Sequence, residues 1–337
     1  MKNLLYYPSF EVADETWLKF ALLYFNELQP IVPYSGEQYL SGRFREIIDS
    51  TDLIKFYRPD YKKGVKATKE AIETCESMLS RPYAFKDFFK CHDFINVWKS
   101  PEFHTHTIFR EKYSDAWEDF LTKNKLGTPS DNGIAVSEHL ALIYMTLLAQ
   151  AISANDNMSP ITDIPEIDKF SISCLSTSPA TPKCVDVARF TIPMVLPANL
   201  QEISINSIIK LRNKSGFKQK LIAFNHEIES FIKSLEGSNN SPETIAKDFM
   251  EFRSSLWREF SDDVIAIGSG AIPAALGIWL VIDAENFDKY NYIKEATAAT
   301  ALLVTSIISI RNTWQDSKNR RHTRRYLSDL KQLKASI

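Results

Sequence analysis

Residues 264–282, VIAIGSGAIPAALGIWLVI, run for 19 positions without a charge. An apolar run of that length has to be covered, either by the rest of the protein or by lipid. As a helix it spans about 28 Å, close to the roughly 30 Å hydrocarbon core of a bilayer. Its aliphatic side chains favour insertion, while Gly268, Ser269, Gly270 and Pro273 weaken both helix and hydrophobicity. A second apolar run, ATAATALLVTSIISI at 296–310, covers only about 22 Å as a helix. Ala266, Gly270 and Ala274 recur every four residues on the first run, as do Thr297, Ala301, Thr305 and Ser309 on the second. Two such thin stripes let helices approach closely. The expectation is an antiparallel helical hairpin over 264–310, filling the middle of a mainly helical domain. Its alternative is a hairpin that enters a membrane and perturbs it.

The flanks bear on that choice. Residues 311–337 hold eight Lys or Arg against two acids, with Arg320, Arg321, Arg324 and Arg325 clustered. This basic tail is the candidate site for lipid or other phosphates, and a solvated helix face explains it equally. The whole chain has 337 residues, is 44% hydrophobic and 24% charged, and carries a formal net charge of -2. Such a balance gives no general pull toward nucleic acid or anionic lipid, so nucleic acid enters only through the tail. Cys75, Cys91, Cys174 and Cys184 match neither a zinc pair nor a disulfide framework, which suits reduced thiols in the cytoplasm. MKNLLYYPSFEVADETW turns acidic before the core of an export signal could form. The expected location is cytoplasmic, with inner-membrane association as the alternative.

Along the chain, apolar pieces and amphipathic pieces alternate at first. NLLYYPSF suits a strand, and Asp14 is placed to cap a helix that carries Trp17, Phe20, Ala21, Tyr24, Phe25 and Leu28 and ends at Pro30. PIVPYSG then suggests an extended piece, GEQYLSGRFREIIDST a helix and DLIKFYRP a third strand, the alternation of a small parallel sheet with covering helices. Residues 62–80 form an amphipathic helix on Val65, Ala71, Ile72, Cys75 and Leu79. A helix closed by Gly127 follows, then a central apolar helix starting at Asp131 or Asn132. Prolines and Ser/Thr crowd residues 157–184, RFTIPMVLP offers one more strand, and Phe217, Leu221, Phe224, Ile228, Phe231 and Leu235 make a helical stripe that needs a partner. The expected division is a mixed α/β domain at 1–160, a connector at 161–190 and a mainly helical domain at 191–337, the whole being an α-rich α/β fold.

Residues 4–33, LLYYPSFEVADETWLKFALLYFNELQPIVP, together with residues 190–235 from FTIPMVLP to FIKSL, resemble an uncharacterised family of bacterial cytosolic proteins. Its shared features are a strand-to-helix entry and a proline-marked strand end leading to a polar helix through Leu211 and Arg212. The resemblance implies a bacterial origin and a setting near phage-defence genes. It transfers no active-site residue.

Reaction chemistry finds few candidates. His104 and His106, with Glu102 and Glu111 nearby, could start a metal site if Cys91 and His92 joined them; paired surface histidines are the plainer reading. His139 beside Glu138 suits a general base or a hydrogen-bonded core histidine. His226 and Glu227 lack the second histidine of a zincin. Asp163, Glu166 and Asp168 could hold a cation or serve as turn formers beside prolines. Glycine-rich phosphate loops and the G-x-S-x-G elbow are missing from the sequence. The expectation is therefore a non-enzymatic interaction or effector protein with no cofactor and no catalytic or metal residues, bound to a protein partner or to itself. A metal- or carboxylate-dependent enzyme stands as a further alternative.

Overall fold

The computed structural model of the chain describes residues 4–84, 89, 91, 93–156, 158–164, 185–237, 260–283, 307–309 and 324–329. Leu4–Tyr6 (β1) is buried on both faces, with Leu4 and Tyr6 entering one core and Leu5 and Tyr7 the other. That period-two split across two cores is what an interior parallel strand requires. Asp14 caps the next helix, its Oδ1 accepting from the Trp17 amide at 3.0 Å, and Glu15–Tyr24 (α1) follows. The helix stops at Tyr24 rather than Pro30, because Leu28–Pro30 (β2) is taken into the sheet beside β1.

Gly42–Ser50 (α2) and Tyr61–Ser80 (α3) are capped by Ser41 and Asp60 through the Phe44 and Lys63 amides. Helix α3 buries Gly64, Ala67, Ala71, Cys75 and Met78, so its inner face is turned slightly from the expected one and Val65 is exposed. Phe94–Lys99 (α4) and Asp115–Lys123 (α5) come next. Gly127 does not close a helix but opens Gly127–Ser130 (β4), which pairs with Gly133–Val136 (β5) across Asp131 and Asn132; His106–Phe109 (β3) lies on the far side of β5. The central apolar helix, Glu138–Asp156 (α6), accordingly starts at Glu138 and not at Asp131 or Asn132. Turn chemistry at 131–133 prevails over helix capping there, and Gly133 takes a φ of +155° that suits glycine.

Ser159–Thr162 (β6) lies parallel to β1 on the side opposite β2. Ile54 bridges Leu28 of β2 and Tyr57 bridges Ile31 just after it, both in parallel, so the expected third strand contributes two contacts to the edge. The fold is α-rich α/β with a small parallel sheet and covering helices, as the alternation of segments predicts.

The latter half departs from expectation. Beyond Val185–Pro197 (β7), the chain forms Ile205–Arg212 (α7) and Ser215–Gly237 (α8). Residues 260–265 are helical, but Ala271–Asp283 (β8) is a strand, paired antiparallel with β7 along its whole length. The helical hairpin over 264–310 is therefore corrected: its first limb is extended. On the second limb Ile307–Ser309 (β9) pairs with β7, and residues 296–306 and 310 lie outside the described residues. Arg324–Asp329 (β10) joins β6 to β8, giving the order β2-β1-β6-β10-β8-β7-β9.

The reason is local. The helix ends at 265, Gly270 with a φ of +68° turns the chain into β8, and the β-branched and aromatic run Ile278–Ile282 favours a pleated surface. Pro193 and Pro197 lie on β7 beyond its pairing with β9, and Pro273 lies on β8 beyond its pairing with β10, so no ladder to a second described neighbour needs the missing N–H. Strands from both sides of the expected 161–190 connector share this sheet, and residues 165–184 of the connector lie outside the described residues.

Two cores result. One gathers α1, α2, α7 and α8, where the predicted stripe of Phe217, Leu221, Phe224 and Ile228 finds its partners: Phe260 stacks on Phe224 at 4.8 Å, and Tyr24 meets both rings. The other gathers α3, α4, α5 and α6 around Trp98, Trp117 and Tyr144.

Candidate functional site

β2 and β6 flank β1 on opposite sides, so the chain order reverses at β1. In open α/β sheets ligands and partners gather at the carboxyl ends of strands at such a point. Here that end consists of residues 7–14 after β1, 31–41 after β2 and Asp163 after β6. Its carboxylates are spent on holding those loops. Asp163 Oδ1 accepts from the Tyr6 hydroxyl at 2.8 Å, and Oδ2 accepts from the Ala13 and Asp14 amides at 3.1 and 3.2 Å. Burial first, then the Asp163 charge, pushes the Tyr6 phenol far up, so it stays a donor. Glu11 accepts from the amide and hydroxyl of Ser41 at the start of α2.

The 3-10 turn Tyr34–Tyr39 is pinned more heavily still. Glu111 accepts from the Tyr34 and Ser35 amides at 2.8 and 3.0 Å and from the Ser35 hydroxyl at 2.5 Å. Burial opposes ionisation, but these donors and the Arg58 charge hold the Glu111 carboxyl below its ordinary value. Arg58 donates to the Val32 carbonyl and the Glu37 carboxylate while lying 4.5 Å over the Tyr34 ring. Arg45 donates to the carbonyls of Glu37 and Gln38, both at 3.1 Å. Asn132 donates to the Tyr39 hydroxyl at 2.7 Å, and Phe109 meets the Tyr39 ring edge-on. Gly36 is required: a Cβ there would stand 2.7 Å from Phe10 Cε2. Despite this anchoring, Tyr34 is 73% exposed and Tyr39 56% exposed.

Beneath the turn sits Lys112, 2% exposed. Its Nζ faces the Phe10 ring at 4.6 Å and Met145 Sδ at 3.7 Å, with no carboxylate in ion-pair reach among the described residues. Burial lowers its pKa to about 7, with Glu111 pulling the other way. Two other buried cations behave differently. Arg212 donates to the carbonyls of Leu22, Phe25 and Asn26, each at 2.8 Å, capping the end of α1. Lys19 donates to the Leu200 and Gln201 carbonyls and pairs with Glu15.

The residues that sequence reasoning singled out do not come together. His104 uses both ring nitrogens, on Thr128 Oγ1 at 2.8 Å and on the Trp98 carbonyl at 2.9 Å; His106 contacts Thr105 Oγ1. Glu111 serves the Tyr34–Tyr39 turn, and His92 lies outside the described residues. No cluster of three metal-binding side chains occurs among the described residues. His139 packs on Phe89 at 4.8 Å, and burial lowers its pKa. Asp163 is a loop tie, while Glu166, Asp168, Arg320 and Arg321 lie outside the described residues. Arg324 and Arg325 belong to β10, opposite Leu280 and Trp279 of β8. Among the described residues no helix is long and apolar enough to cross a membrane.

Tyr34, Tyr39, Arg58 and Lys112 escaped sequence reasoning because their partners are remote, Glu111 standing 77 positions from Tyr34. The one sequence signal was Gly36, isolated between two tyrosines. Compared with protein families, curated proteins and solved structures, the chain matches none of them.

Proposed function

We propose that the protein is a non-enzymatic interaction protein that engages a protein partner through the Tyr34–Tyr39 turn. The observation that carries this is the pairing of strong exposure at Tyr34 and Tyr39 with a backbone held from four directions, by Glu111, Arg58, Arg45 and Phe10. Rigid aromatic anchors with an adjacent Arg lose little entropy on binding and dominate the energetics of protein contacts. The carboxylates that a hydrolytic or metal-dependent reading would need here are occupied by backbone amides and hydroxyls, which favours binding over chemistry. A place in bacterial phage defence belongs to the same proposal and is supported by the resemblance of residues 4–33 and 190–235 alone.

The test is photocrosslinking in the cells that make the protein, with benzoylphenylalanine placed at position 39 or, as control, at position 83. Tyr83 is 86% exposed at the far end of α3. A discrete adduct from position 39, lost on Arg58→Ala and absent from position 83, is the expected result. The same adducts from both positions would refute the reading.

A further inference from the structure

Three contacts tie the Lys112 amine to the exposed turn. Lys112 follows Glu111, whose carboxylate holds the Tyr34 and Ser35 amides. Its Nζ lies against Phe10, and Phe10 fills the space beside Gly36 in the middle of the turn. Phe10 also packs on Phe109 at 5.1 Å, and Phe109 on Tyr39 at 5.8 Å. The groups facing the amine are a ring and a thioether. From α6 the Tyr144 hydroxyl donates to the Lys112 carbonyl at 2.8 Å, and the neighbouring Tyr113 hydroxyl donates to Glu118 at 3.0 Å. Glu111 is the one charged group among the described residues whose field bears on the amine.

An uncharged amine is at ease in that setting, and a charged one is not. A ring face returns little of what an ammonium loses on leaving water. Once charged, the amine must gain a carboxylate or reach solvent. Glu111 can answer only by releasing the Tyr34 and Ser35 amides, and an outward swing of residues 110–112 would carry Glu111 and free Phe10 together.

We propose that protonation of Lys112 governs the order of the Tyr34–Tyr39 turn, so that the binding surface is set when the amine is neutral and released when it is charged. The inference rests on the interaction reading above for its function, but not for its physics. Burial places the transition near pH 7, inside the range that cells vary.

The experiment is NMR on the full chain labelled at methionine methyls and backbone amides, followed from about pH 5.5 to about pH 8.5, across the range where the buried amine titrates. The Met145 methyl and the Ser35 and Gly36 amides should move with one shared midpoint near 7. In Lys112→Met the two amides should stay at their high-pH positions throughout. In Lys112→Arg, which keeps its charge, they should stay at their low-pH positions. A Met145 titration that leaves Ser35 and Gly36 unmoved, or an amide transition that survives in Lys112→Met, would overturn the proposal. Crosslinking from position 39 at both pH extremes separates the two ideas: coupled NMR shifts without any adduct defeat the interaction reading and leave the switch standing.

Discussion

The two cores of this protein bury cations in opposite ways. On the side of α1, α7 and α8, Arg212 and Lys19 bring their charges to backbone carbonyls at the end of α1 and in the turn after β7. On the side of α3 and α6, Lys112 brings an amine to a ring and a sulfur. The first arrangement gives each charge two or more carbonyl acceptors, and so it fixes structure. The second leaves the charged form unsupported, and its cost falls away as the amine loses its proton. Burial alone does not say what a cation does; its acceptors do.

Substitutions separate the two arrangements by size of effect. The largest effect is expected for Arg212→Ala, which strips three carbonyls of their charged donor and leaves Asp52 with Lys218. Chemical denaturation should show a loss of about 3–5 kcal/mol, typical of breaking a buried charged group's partners. Lys19→Met should lose about 2 kcal/mol by the same measurement, since two carbonyls lose a charged donor. Lys112→Met should instead gain about 1–2 kcal/mol near neutral pH, because an apolar side chain replaces an unpaired buried amine.

The pH dependence of that gain has a definite sign. Lys112 has a pKa of about 7 in the folded protein against 10.5 for an ordinary lysine. Between those values the unfolded chain binds more protons, so the wild type is stabilised as pH rises through the interval. Below pH 7 both states are charged and the penalty is constant and full. The advantage of Lys112→Met should therefore be greatest below pH 7 and shrink toward pH 10.5, whereas the losses in Arg212→Ala should hold across that interval. The smallest expected effect is that of Asp163→Asn, about 1 kcal/mol, because the amide oxygen keeps one of the loop donors and the Tyr6 hydroxyl loses a charged acceptor. Thermal melts of wild type, Lys112→Met and Arg212→Ala at about pH 6 and about pH 9 check the pH dependence, and melts of Asp163→Asn check the last effect.

Much of the first half was legible because its signals are short-range. Asp14 stands at a helix start and α3 shows its apolar period, and in the second half Phe217, Leu221, Phe224 and Ile228 mark a buried face by the same kind of signal. The candidate site was not legible. Glu111 could be noticed beside His104 and His106, but its partners lie in the loop after β2. The apolar run at 264–282 misled for a related reason. A wholly apolar segment carries no period that separates a buried helix from a buried strand, and small residues four apart fit both. Its length matched a bilayer, yet Gly270 and the β-branched stretch that follows were the informative residues.

The amino-acid sequence alone specified the β1 strand, the Asp14 cap and the helical character of α1, α2 and α3, since each depends on neighbours within a few residues. What only the tertiary structure decided is the strand state of 271–283 and the fates of Glu111, Arg212 and Lys112. An extended segment has no hydrogen bonds until another strand supplies them, and a charged side chain has no defined role until folding delivers its acceptor or withholds it.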